Sequence, residues 1–275
     1  MRKISIKTII SILSAKFTLF LTKTILKGGT TFPGRVALKI DKNILSKISK
    51  GYKVILVTGT NGKTTTTSMI YNIIKESGHP VITNNTGANL FPGIVTTFVD
   101  SFKFGSKVKD NYAVIEVDEA NLKYITEYIT PEVITVTNLF RDQLDRYGEV
   151  YTTLNKILEG IYNVPKTTLV LNGDESLLGK LDLKNPVHFY GFDKAVNDNK
   201  TIEINADAKF CKFCKTPYEY NFVTYNHLGD FYCPNCGYKR SDLMYAVTDI
   251  IDINADSSTI KFNDLEVSIN QSGTY

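Results

Sequence analysis

Apolar and polar residues alternate in blocks along this chain, and the blocks predict strands and helices taking turns. Short β-branched and aliphatic runs at residues 53–57, 81–83, 112–117, 133–137 and 168–171 read as buried strands. Helical spacing fits residues 63–76, 122–128 and 150–162. This order implies right-handed βαβ units and an α/β fold: a mostly parallel phosphate-loop sheet flanked by helices. Ahead of it, residues 4–26 place Ile6, Ile9, Ile10, Leu13, Phe17, Phe20 and Leu21 on one helical face and Ser11, Ser14, Thr18 and Thr22 on the opposite one. Lys7, Lys16 and Lys23 break the apolar run too often for a membrane span, so the pattern predicts an amphipathic helix packed on its own domain. Contact with an anionic membrane surface, Lys16 and Lys23 snorkelling at its edge, is the second reading. GGTTFPGR, residues 28–35, reads as a loop, and DKNILSKI as a short helix capped near Asp41. Beyond Arg240, LMYAVTDI, STIKF and LEVSI read as strands separated by turns.

The first strand runs straight into TGTNGKTTTT, and that junction is a phosphate cradle. Gly59 and Gly62 let successive backbone N–H groups point at one spot, where the following helix adds its partial positive charge. Lys63 is placed to reach β- and γ-phosphates, and the Thr64 hydroxyl to ligate Mg²⁺. Val57 stands where the pattern G-x-x-x-x-G-K-[ST] has its first Gly, so the loop is a shortened variant.

Ligands of such sheets collect at the carboxyl ends of strands. Polar clusters follow four further strands: NNTGANL after the second, EVDEA after the third, TNLFRDQLDRYGE after the fourth and NGDE after the fifth. Glu116, Asp118 and Glu119 offer a hard carboxylate to Mg²⁺. Asn138, Arg141, Asp142, Asp145 and Asn172 to Glu175 are expected at the same edge.

The cysteines change the picture after Phe210. Cys211, Cys214, Cys233 and Cys236 form two C-x-x-C pairs with none left over, the spacing of a closed tetrahedral zinc ribbon. Such a zinc folds an insertion and does not catalyse; His227, between the pairs, reads as a polar residue on a ribbon strand. Such pairs favour a metal site in a reducing, cytoplasmic setting over a disulfide framework. Charge divides the chain unevenly: residues 1–50 hold 11 Lys/Arg and one acid, Asp41, whereas the overall net charge is only +4. The positive charge therefore belongs to a basic leader, and the body of the chain offers no broad nucleic-acid surface.

On TGTNGKTTT at residues 58–66 the chain resembles the Mur ligase family, whose central ATPase domain carries that run. GGTTFPGRVALKIDKNIL, NNTGANL, EVDEA, NLFRDQLDRYGE and the inserted ribbon make it similar, within that family, to ligase subunits that amidate lipid II. The resemblance implies a leader over 1–50, a central ATPase domain over 51–275 with the ribbon inserted at 206–242, and a C-terminal ligase domain beyond Tyr275. It implies ATP-dependent conversion of the D-glutamate α-carboxylate of lipid II to D-isoglutamine through an acyl phosphate, in peptidoglycan biosynthesis. Ammonia would come from a glutaminase partner (GatD type) in a heterodimer. The implied catalytic residues are Lys63 and Glu116; the nucleotide contacts are Gly59, Thr60, Asn61, Gly62, Lys63, Thr64, Thr65 and Asn138; Thr64 and Glu116 would hold magnesium. The expected setting is the cytoplasm, at the inner face of the membrane where a lipid-linked substrate lies. Competing readings are an amino-acid-adding Mur or folylpolyglutamate-type ligase, and a zinc-ribbon NTPase that binds nucleic acid. Roughly fifty residues before the phosphate loop leave no room for a separate nucleotide-sugar domain, which disfavours the first.

Overall fold

The computed structural model describes residues 5–24, 31–84, 87–106, 110–141, 149–195, 199–202 and 207–270. The chain forms two compact units, one drawn from residues 1–135 and 155–167, the other from 136–154 and 168–275.

In the first unit the elements are α1 (Ile6–Thr24), α2 (Phe32–Ile40), α3 (Ile44–Ile48), β1 (Tyr52–Thr58), α4 (Lys63–Glu76), β2 (Val81–Thr83), α5 (Phe91–Ser101), β3 (Asn111–Glu116), α6 (Leu122–Thr126) and β4 (Val133–Val136). The last residue of β4 is counted with the second unit, and α7 (Glu149–Tyr162) begins in the second unit and ends in the first. The strands lie in the order β4-β1-β3-β2, with β1 and β2 both parallel to β3. Val54, Leu56, Val57, Ala113, Val114 and Ile115 are buried along β1 and β3, as a strand covered on both faces requires.

Two expectations are corrected here. The segment read as a loop through Arg35 becomes helical at Phe32, because Pro33 opens a helix instead of making a turn. Its Gly34 lies against α5, where an added Cβ would sit 1.8 Å from the Pro92 carbonyl oxygen; only glycine permits that crossing. The second correction concerns α1, whose inward face mixes small hydroxyl side chains with Ile12, Ala15 and Leu19. Thr8, Ser11, Ile12, Ala15, Leu19 and Thr22 are buried against neighbours that include α2 and α5. Ser11 Oγ donates to the Ala37 carbonyl at 2.8 Å, and Thr8 Oγ1 donates to Asp41 Oδ2 at 2.7 Å. Lys47 Nζ also donates to Asp41 Oδ2, at 2.7 Å. Burial alone would raise Asp41, but those bonds from Lys47 and Thr8 hold its carboxyl below the usual value. Small side chains let the helices approach closely, and every hydroxyl taken inside finds an acceptor, so burying this face carries no desolvation penalty. The apolar face points outward: Ile6 is 77%, Ile10 51%, Leu13 52%, Phe17 64% and Phe20 63% exposed. Lys16 and Lys23 reach sideways to the Asp100 carbonyl and carboxylate, at 3.2 and 3.0 Å.

The second unit contains β5 (Thr168–Asn172), β6 (Val187–Phe192), β7 (Glu219–Tyr225), β8 (Leu228–Tyr232), β9 (Tyr245–Ile253), β10 (Ser258–Phe262) and β11 (Leu265–Ile269). Its strand order is β11-β10-β9-β6-β5, parallel from β5 through β9 and antiparallel from β9 to β11. The β7–β8 hairpin stands apart as a two-stranded sheet and belongs to the cysteine ribbon.

Candidate nucleotide site and metal centre

β1 and β3 are neighbours, so the loop after β1 and the first residues after β3 emerge at one edge. Between β1 and α4, Gly59 and Gly62 adopt φ values of 118° and 78°, which residues with a side chain rarely take. The loop thereby delivers the chain into α4 with Gly62 at its N-cap. The first-turn N–H groups of a helix have no intrahelical partner, so those of Lys63, Thr64 and Thr65 face the loop's concave side with the positive end of the helix dipole.

Side chains complete the arrangement. Lys63 Nζ donates to the Gly59 and Thr60 carbonyls at 2.6 and 3.0 Å and to Glu119 Oε1 at 3.0 Å. Thr64 Oγ1 donates to Glu116 Oε2 at 2.7 Å, while Asn89 Nδ2 donates to Glu116 Oε1 at 3.2 Å. Magnesium takes hard oxygen ligands, and a hydroxyl and a carboxylate meeting at one point fit it. Asn84 holds this carboxylate's backbone in place. It accepts from the Glu116 N–H at 2.9 Å and donates to the carbonyls of Glu116 and Ala88 at 2.8 and 3.0 Å. The acids after β3 are thus sorted: Glu116 meets Thr64, Glu119 meets Lys63, and Asp118 caps the turn at Ala120 and Asn121. Gly59, Thr60, Asn61, Gly62, Lys63, Thr64, Thr65 and Glu116 therefore sit together in the first unit. Asn138 lies in the second unit and is buried. Asp142 and Asp145 lie outside the described residues, as do Asn85 and Thr86 of NNTGANL.

NGDE does not behave as the open ligand cluster expected of it. Asn172 Nδ2 donates to the Thr137 carbonyl at 2.9 Å. Asp174 pairs with Arg240 at 3.0 Å, and Glu175 Oε2 with His227 Nε2 at 2.9 Å, both rings of contact being buried. Burial pushes the Asp174 carboxyl up to about 6 despite Arg240 beside it. Glu175 also accepts from the N–H groups of Leu139 and Leu177, each at 3.2 Å. These acids anchor the ribbon; they are not presented to a ligand. His227, read as an ordinary ribbon residue, proves to be a fully buried partner of one of them. Acids after a strand look alike in sequence whether they face solvent or a buried cation, and the pairing of Asp174 with a residue 66 positions away leaves no local signal.

In the ribbon, the sulfurs of Cys211, Cys214, Cys233 and Cys236 all lie within 4.8 Å of one another. The Cys211–Cys236 and Cys214–Cys233 separations are 3.5 and 3.4 Å. A tetrahedron of thiolates at a Zn–S distance of about 2.3 Å has edges of about 3.8 Å, so the four sulfurs suit zinc. Each knuckle turns alike: Lys215 and Gly237, each following the second cysteine of its pair, have φ of 64° and 70°. The Thr216 hydroxyl and amide hold the Cys214 thiol down at about 5. Cys236, against the pull of the Tyr238 amide, is pushed up to about 12 by desolvation and by hydrogen bonds with its neighbouring thiols. Thiols crowded in this way ionise together only around a cation. The closed set of sulfurs fits a structural metal, packed on Tyr218, Tyr220, Val223, Phe231 and Tyr238. Lys212, whose ammonium donates to the Leu177 and Gly179 carbonyls, is pushed down to about 8 by burial. It and Arg240 are turned into the protein and bonded there.

Residues 57–237 match the model of the Mur ligase middle domain. The chain is 40% identical over 271 residues to the MurT subunit of the lipid II isoglutaminyl synthase (glutamine-hydrolyzing) of Streptococcus pneumoniae, covering 98% of this chain and 60% of that protein. It therefore spans about three fifths of that relative's length. Among solved structures it is similar to MurF from Acinetobacter baumannii, with a TM-score of 0.58 and 15% identity, over 87% of this chain and 43% of that one. The MurF ligase of Thermotoga maritima in complex with ADP gives a TM-score of 0.55 and 15% identity, over 86% and 45%. These structural likenesses speak for the fold.

Proposed function

The chain belongs to the Mur ligase family, and from that premise we propose that it is the nucleotide-binding part of an ATP-dependent ligase that amidates the D-glutamate α-carboxylate of lipid II. The observation that carries this reading is the convergence of Lys63, Thr64 and Glu116 beside a glycine-turned loop, with Thr64 Oγ1 2.7 Å from Glu116 Oε2. Similarity to a MurT subunit over nearly the whole chain supports the substrate, and the ADP complex of a fold relative supports the nucleotide.

In this reading Gly59, Thr60, Asn61, Gly62 and the first-turn amides of Thr64 and Thr65 wrap the phosphates, and Lys63 spreads the charge of the transferred group. Thr64 and Glu116 would hold magnesium, which would supply charge neutralisation at the phosphates. Asn138 is a further nucleotide contact. An oxygen of the substrate carboxylate attacks the γ-phosphorus, the bond to the bridging oxygen breaks, and ADP leaves. Ammonia then adds to the acyl carbon of the resulting acyl phosphate; phosphate departs with the C–O electron pair and a proton leaves nitrogen. Exclusion of water decides the yield, because the acyl phosphate hydrolyses if exposed. Ammonia would be delivered by a glutaminase subunit, a reading supported by similarity to a subunit of a synthase named as glutamine-hydrolyzing. The cysteine ribbon binds zinc and holds its hairpin folded. The reaction is tested by combining the complete gene product with a candidate glutaminase, glutamine, ATP and lipid II. Mass spectrometry should show hydroxyl replaced by amine on the stem glutamate; ATP hydrolysis without that change would refute the assignment.

A further inference from the structure

We infer that the outward face of α1 is a docking surface for an anionic lipid bilayer, against which the helix lies flat. Ile6, Ile10, Leu13, Phe17 and Phe20 recur at alternating spacings of four and three, which confines them to an arc of about 80° on the helix. All five are more than half exposed, while the opposite arc is already buried: Ile12, Ala15 and Leu19 are covered, and the Thr8 and Ser11 hydroxyls are bonded to Asp41 and to the Ala37 carbonyl. The helix is not simply misassigned as amphipathic: its inner contacts are satisfied, and the apolar residues are surplus to them. A contiguous apolar face of this size marks an interaction surface.

Charge selects the occupant. Asp41, the one acid in residues 1–50, is buried and paired with Lys47, so no exposed carboxylate of this segment opposes an anionic surface. Lys7 borders the stripe on one side, and Lys16 and Lys23 on the other, where Asp100 takes up part of their charge. Next to it, α2 exposes Phe32, Arg35 and Lys39 at helical spacing, adding an aromatic ring and two cations. Phe and Leu in an interfacial plane, rimmed by lysine and arginine, is the pattern that binds acidic headgroups. A second copy of the chain would oppose one row of cations with another, and the cores of protein interfaces are depleted in lysine. No helix among the described residues is long and apolar enough to cross a membrane, so the contact is interfacial. The inference stands apart from the proposed reaction, although a lipid-linked acceptor would lie in the same plane.

The test is sedimentation of the 275-residue chain with vesicles of phosphatidylglycerol and phosphatidylcholine, and with phosphatidylcholine alone, beside the double variant Ile10→Glu/Phe17→Glu. Both positions are exposed, so the variant should keep its melting temperature and its nucleotide affinity. The wild-type chain should partition onto the anionic vesicles, less so at high salt, and the variant should partition about tenfold more weakly or worse. Equal partition of the two proteins, or none by either, overturns the inference. So does a concentration-dependent dimer that the variant abolishes without any vesicle binding. A longer gene product that fails to sediment where the 275-residue chain succeeds would show that the protein's own continuation covers the face, and also overturns it.

Discussion

Replacing Arg240 by leucine should destabilise the second unit by an amount that depends on pH. The guanidinium is about nine-tenths buried and donates to Asp174 at 3.0 Å and to Asp193 at 2.8 Å; it also bonds the Phe192 carbonyl and faces Asp230 at 3.2 Å. Asp193 is half exposed and its pair contributes little. Asp174, with a side chain only 3% exposed, is different. Removing the partner of a buried charge costs about 3–5 kcal/mol, because the survivor is left uncompensated. Burial already lifts Asp174 to about 6 with Arg240 in place, from an ordinary 3.8. Without Arg240 it rises further, so the folded variant takes up a proton that the unfolded chain binds only at lower pH. A carboxyl raised in the folded state penalises folding above its folded pKa, and the penalty fades as pH falls toward the unfolded value. The loss should therefore be larger at pH 8.5 than at pH 5, reaching about 3–5 kcal/mol where Asp174 is ionised in the folded variant, and shrink by about 1.4 kcal/mol for each pH unit by which Asp174 has climbed. Urea unfolding followed by tyrosine emission at pH 8.5 and about pH 5 measures this, since the chain has 16 Tyr and no Trp. Arg240→Leu combined with Asp174→Leu should recover most of the stability. A loss below about 1 kcal/mol, or one equal at both pH values, would refute the reasoning.

Other outcomes follow from the same contacts. Glu116→Gln keeps the shape of the side chain but removes its charge; Mg²⁺-ATP affinity by calorimetry should fall about 10–100-fold, with metal-free nucleotide binding little changed. Gly34→Ala drives a methyl into the Pro92 carbonyl and should lower stability by about 3 kcal/mol or more, read as a reduced thermal midpoint of the first unit. Cys233→Ser should abolish stoichiometric zinc in elemental analysis and expose the amides of β7 and β8 to hydrogen exchange, while α4 and β1 keep their protection.

What the sequence disclosed depended on the range over which each signal acts. The loop from Gly59 to Thr65 was legible in full, and α4 matched residues 63–76, because glycine, lysine and helix-start geometry are fixed within a few residues. The cysteine pairs were equally plain, since metal spacing is local. The residues alone offer Glu116 as one of three acids and the resemblance singles it out; Asn84, reaching across 32 positions, holds its backbone where it meets Thr64. α5 carries little helical signal: Ile94, Val95, Phe98 and Val99 are buried together, and a helix covered on most sides shows no stripe. β6 likewise lacked a pattern, its residues being mostly half-buried. Periodicity groups Ile6, Ile10, Leu13, Phe17 and Phe20 on one face of α1 but does not say that this face is outward; Ile9, Leu21, Ser14 and Thr18 are half-buried at its flanks, and the inward face is Thr8, Ser11, Ile12, Ala15, Leu19 and Thr22. NGDE failed for the opposite reason, its burial being decided by Arg240 and His227 from distant segments.

The grip on Lys63 sets the terms of entry for a phosphate ligand. Its ammonium is already shared among three oxygens, one of them the Glu119 carboxylate, so a newcomer must trade places with an occupant. Such a swap exchanges one anion for another and leaves the local charge count almost level. Discrimination then rests on how many negative oxygens the visitor brings at once, a contest in which a triphosphate outbids a lone phosphate. The carboxylate set loose by that trade is left beside the loop, free to meet a cation of its own.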